Sequence, residues 1–122
     1  MKSIKDRVVW AEIPVTDMGR AKAFYERLLG APLSPQKAGP DEIEVLPVDE
    51  SGGVCGHLYV GKPAARGTGS TIHLAVSVGL EEAMERVRDG GGEVVTDVLQ
   101  IPAGTFFYAL DTEGNSVGCF KS

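Results

Sequence analysis

The sequence predicts an α+β domain made from one module used twice. Three observations carry this. A strand, a turn and a helix open the chain, and the same pattern returns about 61 to 63 residues later. A glycine-containing turn before a closing strand then repeats at nearly the same offset. With 122 residues, 43% of them apolar and 24% charged, the chain makes a single domain (1–122) with enough apolar side chain for its own core.

In the first copy, Val8, Trp10 and Glu12 alternate with Val9, Ala11 and Ile13. This β-branched and aromatic mixture suits a strand, which Pro14 restricts to its end or to a sheet edge. Asp17 can accept from free amides of a first helical turn. Met18, Ala21, Phe24, Tyr25, Leu28 and Leu29 then fall on one helical face, and Gly30 supplies the left-handed residue that stops the helix. Strand-like segments follow around Leu33, at 42–48 and at 54–60, the last two parted by the turn "DESGG" at 49–53.

In the second copy, "STIHLAVSV" at 70–78 is a strand and "LEEAMERVRDGGG" at 80–92 a helix. Leu80, Ala83, Met84 and Val87 form its apolar face, and Glu81 and Glu82 sit at its positive N-terminus. Gly92 falls where Gly30 fell, and "DTEG" falls on "ESGG". "GTFFYAL" and "SVGCF" are the closing strands, and the Gly- and Pro-rich "GKPAARGTG" reads as a linker. Each half is therefore β-α-β-β-β, with a first module at about 1–61, a linker at about 62–69 and a second module at about 70–122.

Composition excludes several classes of function. A net charge of −5 with twelve scattered basic residues argues against nucleic acid as a partner. No run approaches the ~20 apolar residues of a membrane span, so no membrane partner is expected. Early lysines at positions 2 and 5 hint at a leader, but Asp6, Arg7 and Glu12 interrupt any apolar stretch behind them. Two cysteines, Cys55 and Cys119, are too few and too far apart for a disulfide framework or a zinc ribbon, and the simplest setting is a reducing cytoplasm.

The segments "EIPVTDMGRAKAFYERLLG", "LEEAMERVRDGGGEV" and "FFYALDTEGNSVGCF" resemble the vicinal oxygen chelate superfamily of glyoxalase I, bleomycin-resistance proteins and extradiol dioxygenases. The resemblance covers nearly the whole chain. It implies two β-α-β-β-β modules whose strands form a cup-shaped, partly closed mixed sheet around one pocket. It also implies, in the metal-binding members, four inward-pointing ligands from the first and last strands of each module, mostly His and Glu. Matched one at a time, those positions carry Trp10, His57, His73 and Gly118, so both histidines of the chain fall on ligand positions.

Tryptophan has no free lone pair to give a metal, and glycine has no side chain. Strand alternation places Glu12 on the face of Trp10, Cys55 and Tyr59 on the face of His57, and Phe120 on the face of Gly118. The resemblance implies that His57 and His73 face each other across the cup. With Glu12 they would make a two-histidine, one-carboxylate metal set. Glu12, however, stands roughly 6.5 Å along the strand from the family position, far for a bond of about 2 Å. The alternative is two pocket histidines that hydrogen-bond a ligand, a neighbour or water. Glu12 is either a general base or a structural acceptor, and Cys55 either an activated thiol or a small apolar filler. Cys119 has the opposite parity and belongs to the core.

Two functions follow. The first is a binding protein of the bleomycin-resistance kind, holding an apolar or aromatic small molecule against Trp10, Cys55, Tyr59 and Phe120 with no tight metal. The second is a metal-dependent lyase or dioxygenase of the glyoxalase type, with His57, His73 and Glu12 as catalytic residues and ligands of a divalent metal. The family resemblance, and sheet edges left to cover, imply a homodimer.

Overall fold

The computed structural model describes residues 6–50 and 52–121. The lysines at positions 2 and 5 and the central residue of the 49–53 turn, position 51, lie outside them. Each module contributes an open sheet and one helix. The first sheet has the order β1-β4-β3-β2, from β1 (Trp10–Val15), β2 (Ser34–Ala38), β3 (Asp41–Val45) and β4 (Cys55–Val60). The second has the order β5-β9-β8-β6, from β5 (Ile72–Ala75), β6 (Glu93–Val94), β8 (Gly104–Leu110) and β9 (Ser116–Lys121), with β7 (Leu99–Ile101) also on β8. In both modules the first strand lies parallel to the last, which brings the two strands of interest side by side.

The helices, α1 (Met18–Leu29) and α2 (Leu80–Asp89), cover one face of the sheets. Alternation puts Ile13, Val15 and Leu58 of the first sheet against Phe24, Tyr25 and Leu28. Phe107, Ala109, Val117 and Cys119 of the second join Ala83 and Val87 in the same core. Asp17 caps α1, its Oδ1 accepting from the Arg20 amide at 3.0 Å, and Gly30 ends it at φ 72°.

The second helix stops earlier than its sequence suggests. Gly91, at φ 94°, is its left-handed residue, and the amides of Gly91 and Gly92 return to the carbonyls of Arg88 and Val87, which closes a Schellman motif. Gly92 is a packing position instead: a Cβ there would lie 2.6 Å from the Phe24 ring. The second module also carries one strand more than expected. The amides of Val95 and Thr96 both point to the Tyr108 carbonyl, and the Thr96 hydroxyl accepts from the Tyr108 amide. Two residues thus oppose one, and this bulge splits a single strand into β6 and β7.

The turn before β9 ties the modules together. Buried Asp111 accepts from the Tyr25 hydroxyl at 2.5 Å, from the amides of Glu113 and Asn115, and from the Asn115 side chain. The Asn115 amide nitrogen also donates to the carbonyl of Pro14 on β1. Glu113 accepts from the backbone of Thr16 and Asp17 and pairs with Arg20 at 2.8 Å.

Candidate functional site

Away from the helices, each sheet has an open face, where Trp10, Glu12, His57, Tyr59, His73 and Phe120 lie, whereas Cys55 packs against the core. On the first sheet the parallel register sets Trp10 beside Cys55 and Glu12 beside His57, with Tyr59 two residues further along β4. His57 is 7% exposed and lies between two partners. The indole Nε1–H of Trp10 donates to its Nδ1 at 2.9 Å, and its Nε2 stands 3.4 Å from Oε1 of Glu12. The Tyr59 ring meets the imidazole edge-on at 6.2 Å. Beside them is a hollow of about 410 Å³ lined by Glu12, Asp41, Glu42, Ile43, His57 and Tyr59, among others.

The second sheet presents an aromatic floor. His73, itself exposed, has the rings of Phe106, Tyr108 and Phe120 around it at centroid distances of 5.0, 5.8 and 6.1 Å, all edge-on. Its ring lies over Gly118, its register partner on β9. A Cβ on that glycine would fall 2.3 Å from the imidazole Nδ1. A hollow of about 350 Å³ opens here against His73, Ala75, Ile101 and Phe120.

The structure therefore brings Trp10, Glu12, His57 and Tyr59 together on one sheet, and His73 with Phe120 on the other. Cys55 and His73 both line a third hollow of about 340 Å³, together with Ala11, Leu46, Ile72 and Leu74. The Cys55 thiol is half-buried and donates to the Leu46 carbonyl at 3.0 Å. Burial pushes the Cys119 thiol up to about 12, so it stays protonated in the core. Sequence reasoning passed over Phe106 and Tyr108. The alternation in "TFFYAL" was the available signal, since it turns Phe106 and Tyr108 to the open face and Phe107 to the core.

A family model described as the Glyoxalase/Bleomycin resistance protein/Dioxygenase superfamily matches residues 7–118. The chain belongs to this superfamily. Solved structures share the fold at low identity. A glyoxalase/bleomycin resistance protein from Albidiferax ferrireducens T118 is 19% identical with a TM-score of 0.66, over 92% of this chain and 95% of that one. The fosfomycin resistance protein FosX from Mesorhizobium loti is 14% identical with a TM-score of 0.66, over 98% and 94%. The hypothetical protein SA1046 from S. aureus is 16% identical with a TM-score of 0.68, over 98% and 100%. No curated protein matches the chain.

Against the superfamily's divalent metal, the donor set of this member does not fit. Trp10 and Gly118 offer no side-chain lone pair, His57 spends its Nδ1 on the indole, and His73 lies on the other sheet among aromatic rings. Among the described residues, no three His, Cys, Asp or Glu side chains are gathered to hold an ion. Also among the described residues, no helix is long and apolar enough to cross a membrane.

Proposed function

We propose that this glyoxalase-superfamily member binds an apolar or aromatic small molecule on the open faces of its sheets, with no tightly held metal. The observation that carries the reading is the aromatic floor of Phe106, Tyr108 and Phe120 around an exposed histidine that makes no hydrogen bond within the described residues. Aromatic area with one free polar edge suits an apolar or aromatic ligand, which packs against these rings while His73 fixes its orientation. Trp10, 46% exposed, and Tyr59 extend the aromatic surface onto the first sheet, and Cys55 lines the hollow between the sheets.

The protein acts as a homodimer. Exposed Val8, Val9, Val48 and Val54, and Val95, Val98, Leu99 and Ile101 in β7 and the segment before it, are apolar surface that a second copy would cover. Light scattering giving a concentration-independent mass near 12.9 kDa would refute this. Two free cysteines, one of them in the core, suit a reducing cytoplasm.

Titration with the neutral aromatic probe N-phenyl-1-naphthylamine tests the ligand reading. Saturable enhancement of probe fluorescence is expected, weakened by on the order of 1–3 kcal/mol in Trp10→Ala and in Phe106→Ala. Non-saturable binding, or binding indifferent to both substitutions, would exclude the open faces as the site.

A further inference from the structure

We infer that Trp10 is a positioning residue that holds His57 as the tautomer protonated on Nε2, and so withholds this histidine from metal ions. An indole nitrogen can only donate, so at 2.9 Å the Nδ1 of His57 must be the acceptor, with its lone pair directed at Trp10. A neutral imidazole carries one N–H, which is then on Nε2. That nitrogen faces Oε1 of Glu12 at 3.4 Å, where the carboxylate attracts the proton. Donor on one side and acceptor on the other select the same tautomer.

A metal needs an unprotonated nitrogen. Nδ1 is spent, and Nε2 carries the hydrogen. Freeing Nε2 would move the proton to Nδ1, where it would oppose the indole N–H at a site only 7% exposed, with little water to relieve two facing donors. The indole thus does more than leave a ligand position empty, for it also disables the neighbouring histidine. What His57 offers a bound molecule is a hydrogen-bond donor. The chain's other histidine is a built-in control: His73 makes no hydrogen bond within the described residues and has no such constraint.

The test is a long-range proton–nitrogen NMR spectrum of 15N-labelled protein at a pH where both imidazoles are neutral. Signals are assigned by their loss in His57→Gln and His73→Ala. His57 is expected to show one unprotonated Nδ1 and one protonated Nε2, and His73 to show averaged tautomers. Added Zn2+ should leave the His57 signals of the wild type in place. In Trp10→Phe, zinc should perturb them at a concentration at least about tenfold lower, the scale on which a ligand's outer partner tunes metal affinity. A protonated Nδ1 or an averaged spectrum for His57 in the wild type overturns the inference, whether or not Trp10→Phe folds. So does zinc acting equally on His57 in the two proteins. Neither readout depends on the identity of the small-molecule ligand, so the inference can fail while the binding reading stands.

Discussion

Gly118 both lacks a side-chain donor and leaves room for a neighbouring ring. Its empty Cβ position is where the His73 imidazole lies, and a methyl group there would meet Nδ1 at 2.3 Å. His73 is exposed and can swing outward, so Gly118→Ala should change stability by less than about 1 kcal/mol. It should nevertheless move His73 off the aromatic floor and lose probe affinity. Urea denaturation alongside the probe titration checks both, and an unchanged affinity would show that the ring's place over Gly118 is irrelevant to binding. Alternation along a strand predicted which face Trp10, Glu12, His57 and Tyr59 share, because it depends only on parity. The bond from Trp10 to His57 was not legible, since two side-chain rotamers must meet to make it.

At the scale of elements, the pairing of β1 with β4 aligns Trp10, Glu12 and His57, and Gly56 permits it. A Cβ at position 56 would lie 2.3 Å from the Ala11 carbonyl oxygen, a backbone atom that cannot move aside without shifting β1. Gly56→Ala should therefore cost about 1–3 kcal/mol and disturb the His57 NMR signals as the strands separate. Stability within ~0.5 kcal/mol of wild type with unaltered His57 signals would contradict the geometry. Periodicity located both helices and most strands from their apolar faces. It failed at ends and irregularities, which depend on hydrogen-bond geometry. Examples are the stop at Gly91 in place of Gly92, the end of β3 at Val45, and the bulge at Val95 and Thr96.

At the scale of the molecule, the "DTEGN" turn carries the repeat's most recognisable residues and acts as the clamp between modules. Pairing with Arg20, helped by the Asp17 and Thr16 amides and the Thr112 hydroxyl, holds the Glu113 carboxyl down to about 2 from an ordinary 4.5. A depressed carboxyl stabilises the fold above its unfolded value, and that contribution is lost as pH falls from about 4.5 towards 2. Glu113→Gln should cost about 1–2 kcal/mol at neutral pH, a sum kept small because the Arg20 side chain is half in water, and should flatten the acid limb of stability. A variant with the wild-type acid limb would place the clamp elsewhere. The motif lies in one of the three segments that carry the family resemblance, whereas its partners lie some 86 to 101 residues away in the chain and emerge only in three dimensions.

On the proposed reading, this member of a superfamily that often uses divalent metals would use its open sheet faces as a metal-free binding surface. The most direct test is the metal content of protein purified without chelator and dialysed after incubation with Zn2+, Mn2+ and Fe2+. Well under one equivalent of any divalent ion is expected, unchanged by His57→Gln, His73→Ala or Glu12→Gln. A near-stoichiometric ion that disappears when any of those three residues is replaced would contradict it, and would make Glu12 and the two histidines a ligand set after all.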